Sequence, residues 1–414
     1  MLLILLFRVI QRKYMPERLN NSNKVGSFAL VACLALLAML GPFTTDTYFP
    51  YFPDMEAHFN ISQVQAQQSL TVYLISFTVM MLFHGALSDS FGRKPIIIVA
   101  LIGFTLTSLG CAMTDSFLWL LIYRAIQGLF VGAGMVVGQA IIRDQFDGVV
   151  AQKLIAKVTM LFGLAPAVAP LAGGWMHQYF PWQASFVFLA ALGILALAMC
   201  FAWLGESLPT EKRVPFKPWQ ILGNYYEIVT NRHFVNLSLS VGLGFGGFLI
   251  YVAGAHDFVF NVLQLTSLDF GWLFIPIVAG LVIGSAVSSA SSGKVKNKTL
   301  IRIGYAILLS AAFVNVMSSA FTLQSLAWAV IPIFAYTFGL TLILPGVMVM
   351  LLDIFPERKG TAASVQAFIQ SLVFVLISAM VVPYVLGQGY LYATAMMTMA
   401  TCSFMLWQRQ AYTH

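Results

Sequence analysis

Twelve runs of about 20 mostly apolar residues, joined by short polar connectors, account for most of this 414-residue chain. An α-helix rises about 1.5 Å per residue, so a run of this length spans the bilayer's hydrocarbon core, which is about 30 Å thick. We therefore predict an all-α membrane protein with 12 transmembrane helices. The predicted spans are residues 26–50, 67–87, 95–113, 117–142, 155–176, 183–204, 234–256, 269–291, 300–320, 325–350, 361–384 and 389–408.

The composition excludes a water-soluble globule. Hydrophobic residues make up 59% of the chain and charged residues only 9%, whereas soluble domains are about half apolar and a quarter charged. The sequence contains no metal-ligand cluster, no phosphate-binding Gly-Lys-Ser/Thr loop and no nucleophile–base pair. We therefore expect neither an enzyme nor a bound metal or cofactor. The cysteines fall inside apolar runs and are expected to be buried and reduced: Cys33, Cys111, Cys200 and Cys402.

The longest polar stretch lies between Gly205 and Arg232 and divides the spans six and six. A weak internal repeat supports paired halves, because Gly92-Arg93 after span two matches Gly293-Lys294 after span eight. The apolar start, Met1 to Phe7, is too short to span, and fits either an interfacial tail or a true start at Met15. The predicted organisation is a tail at 1–25, bundles at 26–204 and 234–408, a linker at 205–233 and a tail at 409–414.

The distribution of charge predicts the orientation. If the N-terminus is cytoplasmic, every Lys and Arg except Arg124 lies in a cytoplasmic segment, and the opposite loops carry no base. This asymmetry favours cytoplasmic placement of both termini. The net charge of +7 then reflects topology, and we expect no nucleic-acid partner. The opposite loops carry only acids: Asp54, Glu56, Asp115, Asp257 and Asp269.

Four motifs carry a family resemblance. The segment Gly85-Ala-Leu-Ser-Asp89-Ser-Phe-Gly92-Arg93-Lys94-Pro95 resembles the loop 2–3 signature of the major facilitator superfamily. Span five contains Ala165-Pro166-Ala-Val-Ala169-Pro170-Leu-Ala-Gly173-Gly174, which resembles the antiporter signature of drug exporters, with Ala169 where Gly usually precedes the proline. The paired Ala-Pro form and Thr45-Asp46-Thr-Tyr48-Phe-Pro50 look like the bicyclomycin/chloramphenicol-resistance branch of drug:proton antiporters. Tyr123-Arg124-Ala-Ile-Gln127-Gly128 in span four is a further match.

This resemblance implies a function. It implies two six-helix bundles around a central cavity in the bacterial inner membrane. The protein would export a small organic solute, such as a drug, a metabolite or a siderophore-like molecule, in exchange for protons by alternating access. Its partners would be the solute, protons and membrane lipid, and it would be a monomer. Two alternatives remain open: a proton symporter that imports a nutrient, and a membrane sensor that transports nothing.

The loop motif predicts conformational gating. Gly85 and Gly92 permit close approach and a sharp turn, and Asp89 is placed to face a helix N-terminus. Arg93 is predicted to pair with Asp144 in one state and to release it in the other. Arg143 belongs to the same group. The alternative is that Arg93 and Lys94 simply obey the positive-inside rule.

Span five contains residues that favour bending and close helix contact. Pro166 and Pro170 remove helix hydrogen bonds, and Gly163, Gly173 and Gly174 let a second helix approach. The alternative is a packing motif without a role in transport direction.

Two ionisable residues lie at membrane depth, where charge is costly and usually functional. Asp46 in span one is predicted to carry the proton, with Arg124 of span four tuning it from a similar depth. The alternative for Asp46 is an interfacial position at a helix bend near Pro50. His256 and Asp257 are expected to form a solvated rim.

The second half carries no mid-membrane charge, so the predicted cavity is lined by aromatic and amide side chains. Such a pocket suits neutral or amphipathic compounds. For each aromatic residue, ordinary helix packing is the alternative. The candidates are Tyr48, Tyr73, Gln127, Phe245, Tyr251, Tyr336, Gln366 and Gln370.

The topology has a direct test. Cysteines introduced as Asp115→Cys and Lys296→Cys, in a chain without its native cysteines, should react with an impermeant maleimide from opposite sides of the membrane. Labelling is measured in intact cells and in everted vesicles. Reaction of both positions from one side would refute the predicted threading.

Overall fold

The computed structural model describes residues 21–146, 148–291, 294–321 and 326–411. The start-site alternatives, Met1 and Met15, the repeat residue Gly293 and the last three residues of the predicted C-terminal tail lie outside these ranges. Within them the chain is all α, without a β-strand. The predicted fold class is therefore confirmed.

Eight of the helices in the described chain build the first bundle. The long apolar runs make these helices because every backbone N–H and C=O must be paired inside lipid. The span-four run contains a break at Gly132, which separates α5 from α6. The helices are α1 Asn21–Asp46, α2 Phe52–Phe59, α3 Gln63–Phe91, α4 Arg93–Met113, α5 Phe117–Val131, α6 Ala133–Gln145, α7 Gly148–His177, and the eighth, α8, Gln183–Trp203.

The linker and second bundle follow. A helix within the linker, α9 Pro218–Val229, comes before span seven. The spans continue as α10 Arg232–Ala253, α11 Gly271–Ser291, α12 Asn297–Ala320, α13 Leu326–Leu352, α14 Lys359–Leu376 and α15 Gly389–Ala411. Five-residue π-helical segments, Phe258–Val262 and Ile377–Val381, extend the chain beyond α10 and α14.

Eleven segments of the described chain are long and apolar enough to cross a membrane. The twelfth predicted span corresponds to α15, which is 23 residues long but contains several Thr and Gln side chains and one Arg. It packs against α10 and α12 of the second bundle, so the two halves each contain six long segments.

The structure differs from the sequence prediction in three places. First, α1 begins at Asn21, inside the predicted tail. Second, the linker contains α9, because the amphipathic segment after Lys217 starts with a proline suited to a first helical turn. Third, Cys402 is exposed on α15, whereas the other three cysteines are buried as expected. Although far apart in sequence, Cys33 and Cys200 bring their Sγ atoms within 3.6 Å.

Small residues allow the helices of the first bundle to approach closely. Gly128 on α5 lies against the backbone of α3, where an added Cβ would come within 3.0 Å of the Ser76 Cβ and 3.1 Å of the Phe77 nitrogen. Gly134 packs in the same way, with an added Cβ 2.9 Å from the Leu37 carbonyl carbon of α1. Such contacts drive helix association in lipid, where hydrophobic burial provides no net force.

The two bundles meet along α3 with α14 and along α7 with α11. We call the end of the molecule that carries Arg93, Arg213 and Arg358 the basic end. The end that carries Asp54, Asp115 and Asp257 is the acidic end. The part of the molecule between the basic end and the acidic end contains Asp46, Arg124 and the residues along which the bundles meet.

The close approach at Gly128 predicts a stability cost for any side chain there. Gly128→Ala should lower the free energy of unfolding by about 1–3 kcal/mol, because the Cβ overpacks against α3. Gly360→Ala is the matched control, since an added Cβ at Gly360 meets nothing within 4 Å. Thermal unfolding in detergent measures both. Equal stability of the two variants would contradict the packing argument.

Candidate functional site

A cavity of about 340 Å³ lies between the two bundles. The first bundle contributes α1, α3, α5, α6 and α7, and the second contributes α10, α11 and α14. The volume is in the range of sites for small organic ligands, and the lining is mostly apolar, as such sites usually are. Aromatic side chains dominate the wall: Tyr73, Phe77, Phe162, Phe245, Phe248 and Phe374.

Asp46 is the single acidic side chain among the residues that line this cavity. It is the last residue of α1 and is only 2% exposed. The Thr45 hydroxyl donates to its Oδ1 at 2.6 Å. The helix ends here because Pro50 follows in a 3-10 turn, Phe49–Tyr51, and cannot continue a regular helix. The carboxylate is thus held at a helix end, within the span and facing the cavity.

Arg124 is fully buried in the first bundle. Its guanidinium donates to the Thr44 carbonyl at 3.2 Å, to the Ser69 carbonyl at 3.3 Å and to the Gln127 Oε1 at 2.6 Å. It also donates to the Tyr48 hydroxyl. The planar group lies over two rings, 4.6 Å from the Tyr48 centroid and 4.4 Å from that of Tyr73. Gln127 in turn donates to Ser108 of α4 at 2.7 Å.

Arg124 and Asp46 are both buried, but they do not form an ion pair. All hydrogen-bond acceptors of the Arg124 guanidinium are neutral, and the hydrogen bond that Asp46 makes comes from Thr45. The two residues are linked through the backbone, because Arg124 holds the Thr44 carbonyl two residues before Asp46. Arg124 therefore fixes the position of the helix end that carries Asp46, without a direct contact between the two charged groups.

Three of the eight predicted cavity residues line the cavity: Tyr73, Phe245 and Gln370. The other five do not line it, and their polar atoms are used in hydrogen bonds within the protein. Tyr48 and Gln127 bind Arg124, and Tyr251 accepts from Asn315 at 2.6 Å. Tyr336 donates to the Gly244 carbonyl at 2.9 Å, and Gln366 donates to Gln370 at 3.1 Å.

The span-five residues divide into two groups. Gly163 and Pro166 line the cavity, and an added Cβ at Gly163 meets nothing within 4 Å. Gly173 and Gly174 are contact points: an added Cβ would come 2.9 Å from the Thr47 and Ser267 carbonyl carbons, respectively. Pro170 lies within α7, which continues through both prolines. Gly174 therefore brings α7 against the turn before α11 of the second bundle. The segments that approach Gly173 and Gly174 are turns and not the second helix that was expected, and Gly163 has no close contact.

At the basic end, Arg93 ties α3, α4 and α6 together. Its Nε donates to Asp144 at 3.0 Å, which confirms the predicted pair. Its guanidinium also pairs with Asp89 and donates to Ser88, and its backbone N–H donates to Glu206 at 3.0 Å. Asp89 therefore pairs with the Arg93 side chain. The carboxylate that accepts from the N-terminal backbone of α4 belongs to Glu206, whereas the sequence predicted that Asp89 would face a helix N-terminus.

Gly85, Gly92 and Arg143 lie near this cluster and differ in how closely the surrounding residues pack against them. Gly92 adopts φ +99°, in the region that favours glycine. An added Cβ there would also come within 2.8 Å of the Arg213 side chain, which pairs with Glu206 at 3.8 Å. Gly85 is looser, with Val136 3.8 Å from an added Cβ. Arg143 is exposed on the last turn of α6.

The linker helix α9 connects both bundles at the basic end. The Tyr225 hydroxyl donates to the Leu82 carbonyl of α3 at 2.9 Å. Burial raises the pKa of Tyr225, so the hydroxyl keeps the proton that this bond uses. Two residues later, Glu227 pairs with Arg358 at the start of the α14 segment. The linker is therefore a structured bridge.

At the acidic end, Asp257 is buried, and the expectation of a solvated rim was wrong. Its carboxylate accepts from Gln63 of α3 at 3.0 Å, and from Asn261, the Gly387 backbone and Tyr392 of the second bundle at 2.7–3.0 Å. His256 is also buried, 4.3 Å from the Phe52 ring centroid. The reason is that the segment after α10 packs against Gln63 and Phe52 of the first half and against Gly387 and Tyr392 of the second.

Two further hydrogen bonds cross between the bundles near this end. Gln67 donates to Ser378 at 3.0 Å, and Thr71 shares a 2.8 Å bond with the same hydroxyl. Gln63, Gln67 and Ser378 were not among the residues predicted from the sequence. The available signal was a run of glutamines at the start of an apolar span, since amides at membrane depth usually bond across helices.

Two six-segment bundles that enclose a ligand-sized cavity at membrane depth define a polytopic membrane transporter. The family model described as Major Facilitator Superfamily matches residues 34–378. This chain belongs to the Major Facilitator Superfamily, as the motifs around Asp89 and Pro166 indicated.

Two curated relatives agree with the narrower resemblance. The chain is 27% identical over 383 residues to a bicyclomycin resistance protein homolog of Haemophilus influenzae, covering 92% of this chain and 95% of that one. It is 28% identical over 369 residues to the multidrug transporter MdfA of Yersinia pestis, covering 87% and 89%. Among solved structures, the xylose transporter XylE of E. coli, in a partially occluded inward open conformation, superposes with TM-score 0.68 at 15% identity, covering 92% and 97%. This last likeness shows the fold alone.

The Arg124 contacts predict that a positive charge alone does not maintain the stability of the protein at this position. Arg124→Lys should lower the free energy of unfolding by about 2–3 kcal/mol, because one ammonium cannot reach acceptors on α1, α3 and α5 together, which leaves buried acceptors unpaired. Arg143→Lys, at an exposed arginine, should change it by less than about 0.5 kcal/mol. Thermal unfolding in detergent measures both. Wild-type stability of Arg124→Lys would show that the contacts are dispensable.

Proposed function

We propose that this protein is a proton-coupled antiporter that exports small neutral or amphipathic organic molecules across the bacterial inner membrane. The observation that carries the proposal is a mainly apolar, aromatic cavity between the bundles with one carboxylate, Asp46, in its wall. An isolated ionised carboxylate at membrane depth is costly. It is stabilised either by a proton or by a hydrogen-bond donor or cationic group of a bound molecule, and competition between the proton and that molecule couples their movements.

Asp46 is the proposed proton-binding group, and Arg124 is its positioning residue. Arg124 fixes the end of α1 through the Thr44 carbonyl and leaves the Asp46 carboxylate free of a permanent counter-charge. This role differs from the one predicted from the sequence, in which the charge of Arg124 tunes the proton affinity of Asp46. A carboxylate already paired with arginine would have less need of a proton when the cavity empties.

Alternating access would use the contacts at the two ends. Gln63–Asp257 and Gln67–Ser378 join the bundles at the acidic end, and α9 spans them at the basic end. We propose that the acidic-end bonds break when the cavity opens there. The basic end, with both termini, is assigned to the cytoplasm because bases are retained on that side. The protein acts as a monomer, since the cavity is complete within one chain.

Drug export is favoured over nutrient import. The relatives named for bicyclomycin resistance and for multidrug transport match most of the chain. The cavity wall also offers few hydrogen-bonding groups: Thr45, Asp46, Tyr73, Gln370 and Ser371. A highly hydroxylated nutrient would need more partners, because each buried polar group without one is costly.

The experiment uses everted vesicles whose lumen has been acidified by respiration. Bicyclomycin (neutral) or tetraphenylphosphonium (a permanent cation) is added outside, and luminal pH is followed with a fluorescent amine. An antiporter lets protons leave as the compound enters, so the lumen becomes more alkaline. A symporter would acidify it, and a protein that transports neither compound would cause no change.

The variant prediction concerns Asp46. Asp46→Asn should abolish the substrate-induced pH change, a loss of at least about ten-fold, because an amide takes up no proton at this pH. Asp115→Asn, at an exposed acid of the acidic end, is the matched control and should retain it. Asp46→Glu should retain part of the signal. An undiminished response in Asp46→Asn would remove Asp46 from the coupling role.

A further inference from the structure

A second concavity, of about 260 Å³, lies on the outside of the second bundle between α12 and α15. Its walls include Arg302 and Tyr305 of α12, and Phe404, Trp407 and Gln408 of α15. It shares no lining residue with the central cavity. We call it the α12–α15 groove, and the transport mechanism above makes no use of it.

The aromatic wall of this groove is rigid. The Tyr305 and Trp407 rings stack at 5.2 Å, and Phe404 lies 5.3 Å from Tyr305. The Tyr305 hydroxyl bonds to Ser240 at 2.8 Å and to Ser403 at 3.1 Å. Tyr305 therefore has no need of a ligand, and its bonds fix the ring against which Trp407 stacks.

Trp407, in contrast, has an unused donor. The residue is only 3% exposed, yet its indole N–H has no hydrogen-bond partner among the described residues. A buried donor without a partner costs free energy, and an acceptor in the groove would relieve that cost. The ligand that fits this wall therefore carries a hydrogen-bond acceptor.

The charge around the groove specifies an anion. Arg302 is exposed at its edge. Neither residues 270–352 nor residues 358–414 contain a single Asp or Glu, so α12 and α15 carry no acid along their whole length. Besides Arg302, the charged residues at the basic ends of the two helices are also cations: Lys296, Lys298 and Arg409.

The depth of the groove matches a lipid headgroup. Arg302 lies five residues after the start of α12 at Asn297, or roughly 8 Å along the axis. Trp407 lies four residues before the end of α15 at Ala411. Tryptophan and arginine at this depth belong to the interfacial layer, where lipid phosphates sit. Below them the groove continues along Leu309 and Phe404, which suit an acyl chain.

We propose that the α12–α15 groove binds an anionic phospholipid of the leaflet at the basic end. The phosphate lies between the Arg302 guanidinium and the Trp407 indole N–H, and an acyl chain lies along the aromatic wall. The site depends on insertion in a membrane and not on the direction of transport or on proton coupling.

The test is native mass spectrometry of the purified full-length protein with equal amounts of phosphatidylglycerol and phosphatidylcholine. Wild type should retain the anionic lipid preferentially. Arg302→Gln should weaken that retention about five-fold, as expected for one base at a membrane surface. Trp407→Phe keeps the ring and removes the N–H, and should weaken it about three-fold. Retention of phosphatidylcholine should change in neither variant.

Arg409→Gln is the matched control, because Arg409 lies at the same helix end but does not line the groove. It should lower retention by less than about two-fold if the site is local. Wild-type retention in Arg302→Gln would overturn the proposal whatever the fate of Trp407→Phe. An equal loss in Arg409→Gln would overturn it in favour of diffuse attraction, and full displacement by millimolar inorganic phosphate would assign the groove to a free anion instead.

Discussion

The buried guanidinium of Arg124 is the interaction on which the first bundle depends. A charge with no access to water must be solvated by the protein, and here backbone carbonyls, one amide, one hydroxyl and two aromatic rings perform that task. These groups come from α1, α3 and α5, so solvating the charge fixes the three helices relative to one another. The carbonyl of Thr44 is available to it because α1 ends two residues later. The break in α1 and the buried cation therefore stabilise each other.

This arrangement determines the environment of the cavity. Because Arg124 is satisfied by neutral groups, its charge does not cancel that of Asp46. The acid faces the cavity beside aromatic rings and has one hydroxyl donor. If Arg124 paired with Asp46, the two charges would cancel and the cavity wall would be neutral at this point. The present wall instead contains one carboxylate without a counter-charge, which is what the proposed exchange of a proton for a solute requires.

Features that follow from local chemistry were predictable from the sequence, and features set by folding at a distance were not. The spans, the six-and-six division and the Arg93–Asp144 pair follow from apolar run length and motif spacing. Which side of a helix faces the cavity is harder to predict, because long apolar helices show little amphipathic pattern when lipid, neighbours and cavity are all apolar. This is why Tyr251 and Tyr336, equally plausible from sequence, proved to bond other helices, while Phe77 and Phe374 line the cavity. The burial of Asp257 depends on partners far away in the sequence, such as Gln63 and Tyr392, for which no residue pattern gave a signal.

In the proposed alternating-access cycle, the hydrogen bonds of the Asp257 carboxylate let the acidic end open at low cost. Of its four hydrogen bonds, only the one from Gln63 comes from the first bundle, and the other three come from its own. Separation of the bundles removes one neutral donor and leaves the charge held by Asn261, Gly387 and Tyr392. A buried acid stranded without donors would cost several kcal/mol and would lock the closed state. An acid solvated mainly by its own bundle makes the contact reversible, and the same logic applies to Arg124, whose partners all move with it. In the proposed cycle, Arg124 therefore stays solvated within the first bundle and Asp257 within the second. The surfaces that would separate are also joined by neutral amide and hydroxyl bonds such as Gln67–Ser378.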